Sequence, residues 1–291
     1  MNTLHGPLFM VASMAAFAAE DALIKGLTDR VPIGQLGLFL GVGGILVFGI
    51  VAQIQGHSLF DRRALRGAVL VRTLAEACAV VFMLLGLALV PLSVVTAVLQ
   101  AMPLTVTLAA AVFLREPVGW RRWSAILVGF IGVLMILRPG ASGFDPYVLL
   151  PVGSVLALTL RDLATRRVPA NIASIQVSGW GFAAAIPGGV ILLVMRGEGL
   201  IMPAAADWGL QALTLLTAIL GYIALVLATR TGEIAVTTPF RYSRLVFGMM
   251  IGVIMFGERP AMLTLVGAAL IVAAGLYTLM REMRIRRQRA R

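Results

Sequence analysis

Ten runs of mostly apolar residues, each long enough to cross a bilayer, decide what this chain can fold into. They fall at about 5–27, 33–54, 68–89, 92–114, 120–138, 146–165, 171–195, 208–229, 233–256 and 260–280, and a spanning helix takes roughly 20 such residues. Only 13% of the residues are charged, half of the ~25% usual in soluble domains, and mean hydropathy is +0.97. The expected class is therefore a polytopic, all-α membrane protein. The single cysteine, Cys78, excludes an internal disulfide. The opening MNTLHGP carries no Lys or Arg, and the run after it is long enough to stay as a span, so no cleaved leader is expected.

The connections between runs are short and carry turn markers at Val31-Pro32, Pro91, Glu116-Pro117, Pro139-Gly140, Pro169 and Arg259-Pro260. The longest, Gln55 to Gly67, holds Asp61, Arg62, Arg63 and Arg66 and reads as a short interfacial helix. A net charge of +11 fits the excess of basic residues on cytoplasmic loops better than it fits nucleic acid. Alternate connections hold Arg62, Arg63 and Arg66, Arg115, Arg121 and Arg122, Arg166 and Arg167, Arg230, and the basic tail from Arg281 to Arg291. The other side has only Lys25, Arg30, Arg138, Arg196 and Arg259. Ten spans with both termini cytoplasmic satisfy this bias.

A stretch occurs twice. Pro91 to Trp120 and Glu233 to Arg259 each open on a turn, continue through a small, Thr-bearing segment (Val94–Thr96, Val236–Thr238) and an apolar run, and stop at a glutamate beside an arginine and a proline. Glu116 and Glu258 lie 142 positions apart, and Ser13, Asp21, Lys25 and Gln35 align with Ser154, Asp162, Arg166 and Gln176 at a constant offset of 141. A repeat at half length means two copies of one unit, 1–140 and 141–291, of five spans each. Five is odd, so the second copy enters from the opposite side and the repeats are inverted, an arrangement that lets one half rock against the other around a midplane site.

Charges within the spans are costly, at least ~2.5–3.5 kcal/mol each at mid-bilayer on insertion scales. Arg72 and Glu76 share a helix face, either as a self-neutralising pair or with Glu76 turned to a cavity to bind an amine or a proton. On the first helix Phe17, Glu20 and Asp21 share a face with Ser13, and the repeat places Ser154 and Arg161/Asp162 equivalently. The alternative for Glu20, Asp21 and Lys25 is an interfacial position from which they reach water. On the ninth helix Pro239 invites a kink, followed by Arg241, Tyr242 and Arg244. At least one arginine faces a cavity and meets a carboxylate, or the pair locks helices together through Glu76 or Asp162. The first copy has Leu99 and Met102 at the arginine positions, so this charge belongs to one half only. Tyr222 is the leading aromatic cavity candidate, and Phe82 and Gln100 complete the set. Trp120, Trp123 and Trp208 read as interfacial anchors. Gly37, Gly41 and Gly44, like Gly129 and Gly132, allow close helix packing, with a dimer face through Gly37-x-x-x-Gly41 as the alternative.

Taken together, the ten spans in two halves, AVFLREPVGW and VIMFGERPAM at the ends of the fourth helices, and the Gly-rich LVGFIGVLMIL and LVGAALIVAAGLYTL resemble the EamA-type transporters of the drug/metabolite transporter superfamily over the whole chain. In length and topology the chain is similar to YddG-like amino-acid exporters. The first copy has Arg115-Glu116 where Gly-Glu is usual, and the second keeps Gly257-Glu258. The resemblance implies a central cavity lined by the first, third and fourth helices of each half and a small-molecule substrate drawn from amino acids, nucleotide sugars, polyamines or drugs.

No enzyme is expected. The two histidines, His5 and His57, sit in or beside loops, and there is no HExxH, cysteine pair or P-loop, so neither a metal nor a cofactor is called for. The sequence reads as an inner-membrane carrier, favouring export of amino acids by alternating access, with a drug or nucleotide-sugar carrier as the alternative. Arg241 or Arg244 would hold a carboxylate, and Glu76 or Glu20 an ammonium group or proton. A monomer is favoured, a dimer being the alternative.

Overall fold

The computed structural model describes residues 5–59, 66–115, 119–139, 144–169, 171–231 and 234–289. The charged part of the long loop with Asp61, Arg62 and Arg63, together with Glu116, Pro117, Gly140 and Glu233, lies outside the described residues. Among those described there is no strand, and ten helices are long and apolar enough to cross a membrane. In chain order they are α1 (His5–Leu27), α2 (Ile33–Ile54), α3 (Gly67–Leu89), α4 (Leu92–Phe113), α5 (Trp120–Leu137), α6 (Pro146–Thr165), α7 (Ser174–Arg196), α8 (Ala205–Thr231), α9 (Thr238–Phe256) and α10 (Met262–Arg289). Pro32 and Pro91 stand just before α2 and α4, where the missing N–H costs nothing. Gly197 and Gly257 end α7 and α9 in the left-handed conformation, which glycine adopts without strain.

Two helices are interrupted within their spans. The first part of α4 is Leu92–Leu99 and the second Met102–Phe113, with Gln100 and Ala101 between them. Pro103 has no N–H to continue the helical ladder. In α9, residues Thr238–Tyr242 around Pro239 form a 3-10 turn before the α-helix resumes at Ser243–Phe256. The kink expected at Pro239 is thus a tightened turn.

The chain packs as two compact units, and neither follows the halves of the sequence. One comprises residues 23–89 and 150–215, the other 1–22, 90–149 and 216–291, so each draws on both halves. In the first unit α2 packs along both parts of α7. A Cβ on Gly34 would fall on the carbonyl oxygen of Gly189, and one on Gly189 would lie 2.5 Å from the carbonyl oxygen of Gly34, so the two backbones touch. Gly41 faces Ile186, and Gly44 faces the ring of Phe182, itself stacked on Phe48 at 5.0 Å between centroids. The Gly37-x-x-x-Gly41 face is therefore covered by α7 and is internal packing. In the second unit α5 packs along α10 in the same way, with Gly132 and Gly267 each against the other's carbonyl oxygen.

Outward faces are apolar: Leu46, Ile50 and Ile54 on α2, Val190, Ile191 and Val194 on α7, and Met250, Val253 and Ile254 on α9 are all exposed. A continuous surface of this kind suits lipid as its solvent. Trp120, Trp123 and Trp208 are exposed as well, Trp208 meeting Phe39 edge-on at 5.8 Å, whereas Trp180 is buried and donates its indole N–H to the Leu59 carbonyl at 2.8 Å.

Gly189→Ala is expected to force α2 and α7 apart and to cost about 1–3 kcal/mol, the range for overpacking. Gly26→Ala, where a Cβ meets nothing within 4 Å, is expected to be neutral or slightly stabilising. Thermal unfolding of both variants in detergent compares them directly.

Candidate functional site

The charged residues within the spans sort into two groups, one in each compact unit. In the unit formed by 23–89 and 150–215, Arg161 of α6 stands between two carboxylates. Its Nη1 donates to Glu76 Oε1 of α3 at 3.1 Å, and its Nε donates to Asp162 Oδ1 at 3.0 Å. Arg72, one turn before Glu76 on α3, approaches the other Glu76 oxygen at 3.6 Å. The expected intrahelical pair thus exists, but the shorter and more direct partner of Glu76 is Arg161. Two guanidiniums and two carboxylates close this group with no net charge.

The same helices are tied by Ser154, fully buried, whose hydroxyl donates to the Ala79 carbonyl at 3.4 Å. Phe82 lies against Gly153, where a Cβ would come within 2.8 Å of its ring. Of the sequence candidates in this unit, Ser154 and Phe82 do packing work, while Glu76 and Arg161 form the ion network. The ammonium of Lys25 donates to the Leu87 carbonyl in the last turn of α3 at 3.1 Å.

In the other unit, Asp21 of α1 is 3% exposed and accepts two bonds on one oxygen from Arg244 of α9, Nη2 at 2.7 Å and Nε at 3.2 Å. The guanidinium also lies over the ring of Phe17, 5.4 Å from its centroid, a cation–π contact that adds to the pair. Arg244 therefore locks helices together, as one reading of the sequence held, but through Asp21 rather than through Glu76 or Asp162. The alternative in which Asp21 reaches water is overturned by its burial. Ser13 fixes α1 in place by donating to the Gly221 carbonyl of α8 at 2.7 Å, and Phe17 fills the space that Gly221 leaves.

Glu20, beside Asp21, is half-buried and makes no hydrogen bond or ion pair among the described residues. Tyr222, next to Gly221, is half-buried, and Arg241 is exposed. Tyr242 turns inward: it is 6% exposed, its hydroxyl sits where a side chain on Gly275 of α10 would be, and that hydroxyl finds no hydrogen-bond partner among the described residues. Gln100, at the break in α4, is buried and folds its amide back onto the Thr96 carbonyl at 3.4 Å.

One contact has no forerunner in the sequence reading. Glu258 was singled out only as a repeat marker, yet its carboxylate accepts the backbone N–H groups of both Leu92 and Ser93, the latter at 2.9 Å. A negative charge there meets the unsatisfied donors and positive dipole end of α4. The available signal was a glutamate directly after a helix-ending glycine.

Paired charges inside the spans of a multi-pass, all-helical membrane protein are a feature that transporters share. The family model described as the EamA-like transporter family matches residues 4–138 and again 146–280, and the chain belongs to that family. It is 34% identical to a riboflavin transporter of Rhizobium johnstonii over 98% of this chain and 94% of that protein. It is 25% identical to an S-adenosylmethionine uptake transporter of Rickettsia conorii, over 96% and 94% respectively. A solved crystal structure superposes with a TM-score of 0.61 at 19% identity, covering 97% of this chain and 98% of its own, and shares the fold. The protein is thus a small-molecule transporter of the inner membrane.

Asp21→Asn is expected to strand Arg244 and cost about 3 kcal/mol, the lower end for breaking a buried pair because Arg244 keeps some exposure. The double variant Asp21→Asn/Arg244→Gln is expected to recover part of that loss. A double-mutant cycle on thermal unfolding midpoints reads the coupling.

Proposed function

We propose that this chain carries a small metabolite bearing both a carboxylate and an ammonium group, an amino acid or a close derivative, and that net movement is outward. The observation that carries the reading is the Asp21–Arg244 pair inside the membrane span, with Glu20 and Arg241 beside it in sequence. A helix bundle held by packing alone has no use for charges that cost this much to insert. Arg241, in the tightened turn of α9, takes the substrate carboxylate. The ammonium group goes to Glu20. S-adenosylmethionine, the cargo named for one relative, carries the amino-acid group of methionine, which supports this choice.

The transport cycle is alternating access by two inverted five-helix repeats, 1–140 and 141–291, with both termini cytoplasmic. Several contacts support the repeat. Ser13 bonds the Gly221 carbonyl and Ser154 the Ala79 carbonyl. Gln35 exchanges two hydrogen bonds with the backbone of Ile201, and Gln176 binds the Ser58 carbonyl and the Ala173 N–H. Gly221 and Ala79 lie 142 positions apart and Ile201 and Ser58 143, close to the offset of 141 between the residues they bind, while the Ala173 contact is local. The helix breaks at Gln100 and at Tyr242 also correspond.

A second reading is riboflavin, favoured by the 34% identity to a riboflavin transporter. Phe17, Tyr222 and Tyr242 would then offer aromatic faces to the flavin ring. A drug or nucleotide sugar is a further possibility on the same fold.

In proteoliposomes offered labelled methionine, S-adenosylmethionine and riboflavin in parallel, saturable uptake of one of the first two is expected, and Arg241→Ala should lower its transport efficiency at least roughly tenfold, the equivalent of one lost charged hydrogen bond. Uptake of riboflavin alone, indifferent to Arg241→Ala, would replace the first reading by the second. A reporter that matures only in the cytoplasm, fused after Arg291, is expected to be active. An inactive fusion with an active periplasmic reporter would reverse the proposed orientation.

A further inference from the structure

We propose that Glu20 is the proton-carrying carboxyl of this transporter, and that a proton and a cationic group of the substrate exclude one another on it. This deepens the carrier reading above and rests on it.

The argument is one of charge and geometry within a single compact unit. Two carboxylates occupy consecutive positions of α1, at 20 and 21, and one guanidinium from α9 serves them. Both of its bonds to this helix go to a single oxygen of Asp21. Phe17, one turn earlier on α1, stacks beneath the guanidinium and holds it in that orientation. Glu20 makes no hydrogen bond or ion pair among the described residues. The charges acting on it are Asp21 on its own helix and Arg244 on α9. Arg241 and Tyr242 are the other titratable groups of that turn of α9, and α8, which meets α1 at Gly221, contributes Tyr222 as its one titratable side chain between Leu216 and Ala228.

An ionised carboxylate at membrane depth without a counter-charge carries a desolvation penalty, and a proton removes it. The group around Glu76 shows the contrast, since there each acid pairs with a guanidinium. Arg244 neutralises Asp21, so the remaining negative charge is that of Glu20. The exchange balances simply. The Glu20 O–H bond breaks, its proton leaves to water, and the carboxylate pairs with the ammonium or other cationic group of the substrate. When that group departs, the carboxylate takes a proton back. Net movement is then one proton against one substrate cation, an antiport.

The first test needs no substrate. Infrared difference spectra of the purified full-length protein, recorded across a pH titration, read protonated carboxyl groups directly through their C=O stretch. A titrating carboxyl band is expected in the wild type, lost in Glu20→Gln and kept, shifted, in Glu20→Asp. A band unchanged in Glu20→Gln overturns the proposal, as does the absence of any titrating carboxyl band. A second arm uses proteoliposomes with riboflavin and S-adenosylmethionine as probes, with and without a pH gradient. Gradient-driven accumulation that Glu20→Gln abolishes and Glu20→Asp restores supports coupling, while accumulation that survives Glu20→Gln overturns it. Failure of both probes to move in the wild type counts against the carrier reading, and the infrared result still decides the role of Glu20.

Discussion

A charge at membrane depth has to be neutralised where it stands, and much of the side-chain architecture follows from that constraint. Arginine suits the task because its guanidinium is a flat fork of donors rather than a point charge. Arg161 uses the fork to hold Glu76 with one arm while its Nε serves Asp162, a span that a lysine ammonium would cover less well. Arg244 uses its edge for Asp21 and its face for Phe17. Each pair is also a tether between helices far apart in sequence, α3 to α6 in one unit and α1 to α9 in the other.

The apolar majority of the structure obeys a second constraint. In lipid, apolar burial no longer drives helices together, so contact relies on close approach and on local polar bonds. Gly34 against Gly189 and Gly132 against Gly267 bring backbones together, and Ser13 and Ser154 each bond a carbonyl of the facing helix. The clamp of Glu258 on the start of α4 is of the same kind. It joins the end of α9 to the first turn of α4, with Gly248 of α9 also resting against Thr96 of α4.

The spans were legible in the sequence because hydropathy alone determines them, and their bounds moved by only a few residues. The break at Pro239 was legible for the local reason that proline lacks a donor. Pairing was not legible in the same way. Helical spacing linked Arg72 to Glu76, but the closer partner, Arg161, comes from 85 positions away, and no local rule points to it. Arg244 was expected to meet Glu76 or Asp162 if it served as a lock, and it meets Asp21. The division of the chain also differs from what repeats suggest, because helices of the two halves interleave within each compact unit. A compact unit records which faces found each other rather than the order of the chain.

The tightened turn of α9 connects the two kinds of constraint. Arg241 lies within the 3-10 turn and is exposed, whereas Arg244 lies in the first turn of the α-helix that follows and bonds Asp21. Tyr242 between them points elsewhere, buried with its hydroxyl at Gly275 of α10. The absence of a side chain at Gly275 is what makes room for the tyrosine there. A phenylalanine would fill the same space without leaving a buried hydroxyl unbonded, which carries a penalty of about 1–3 kcal/mol.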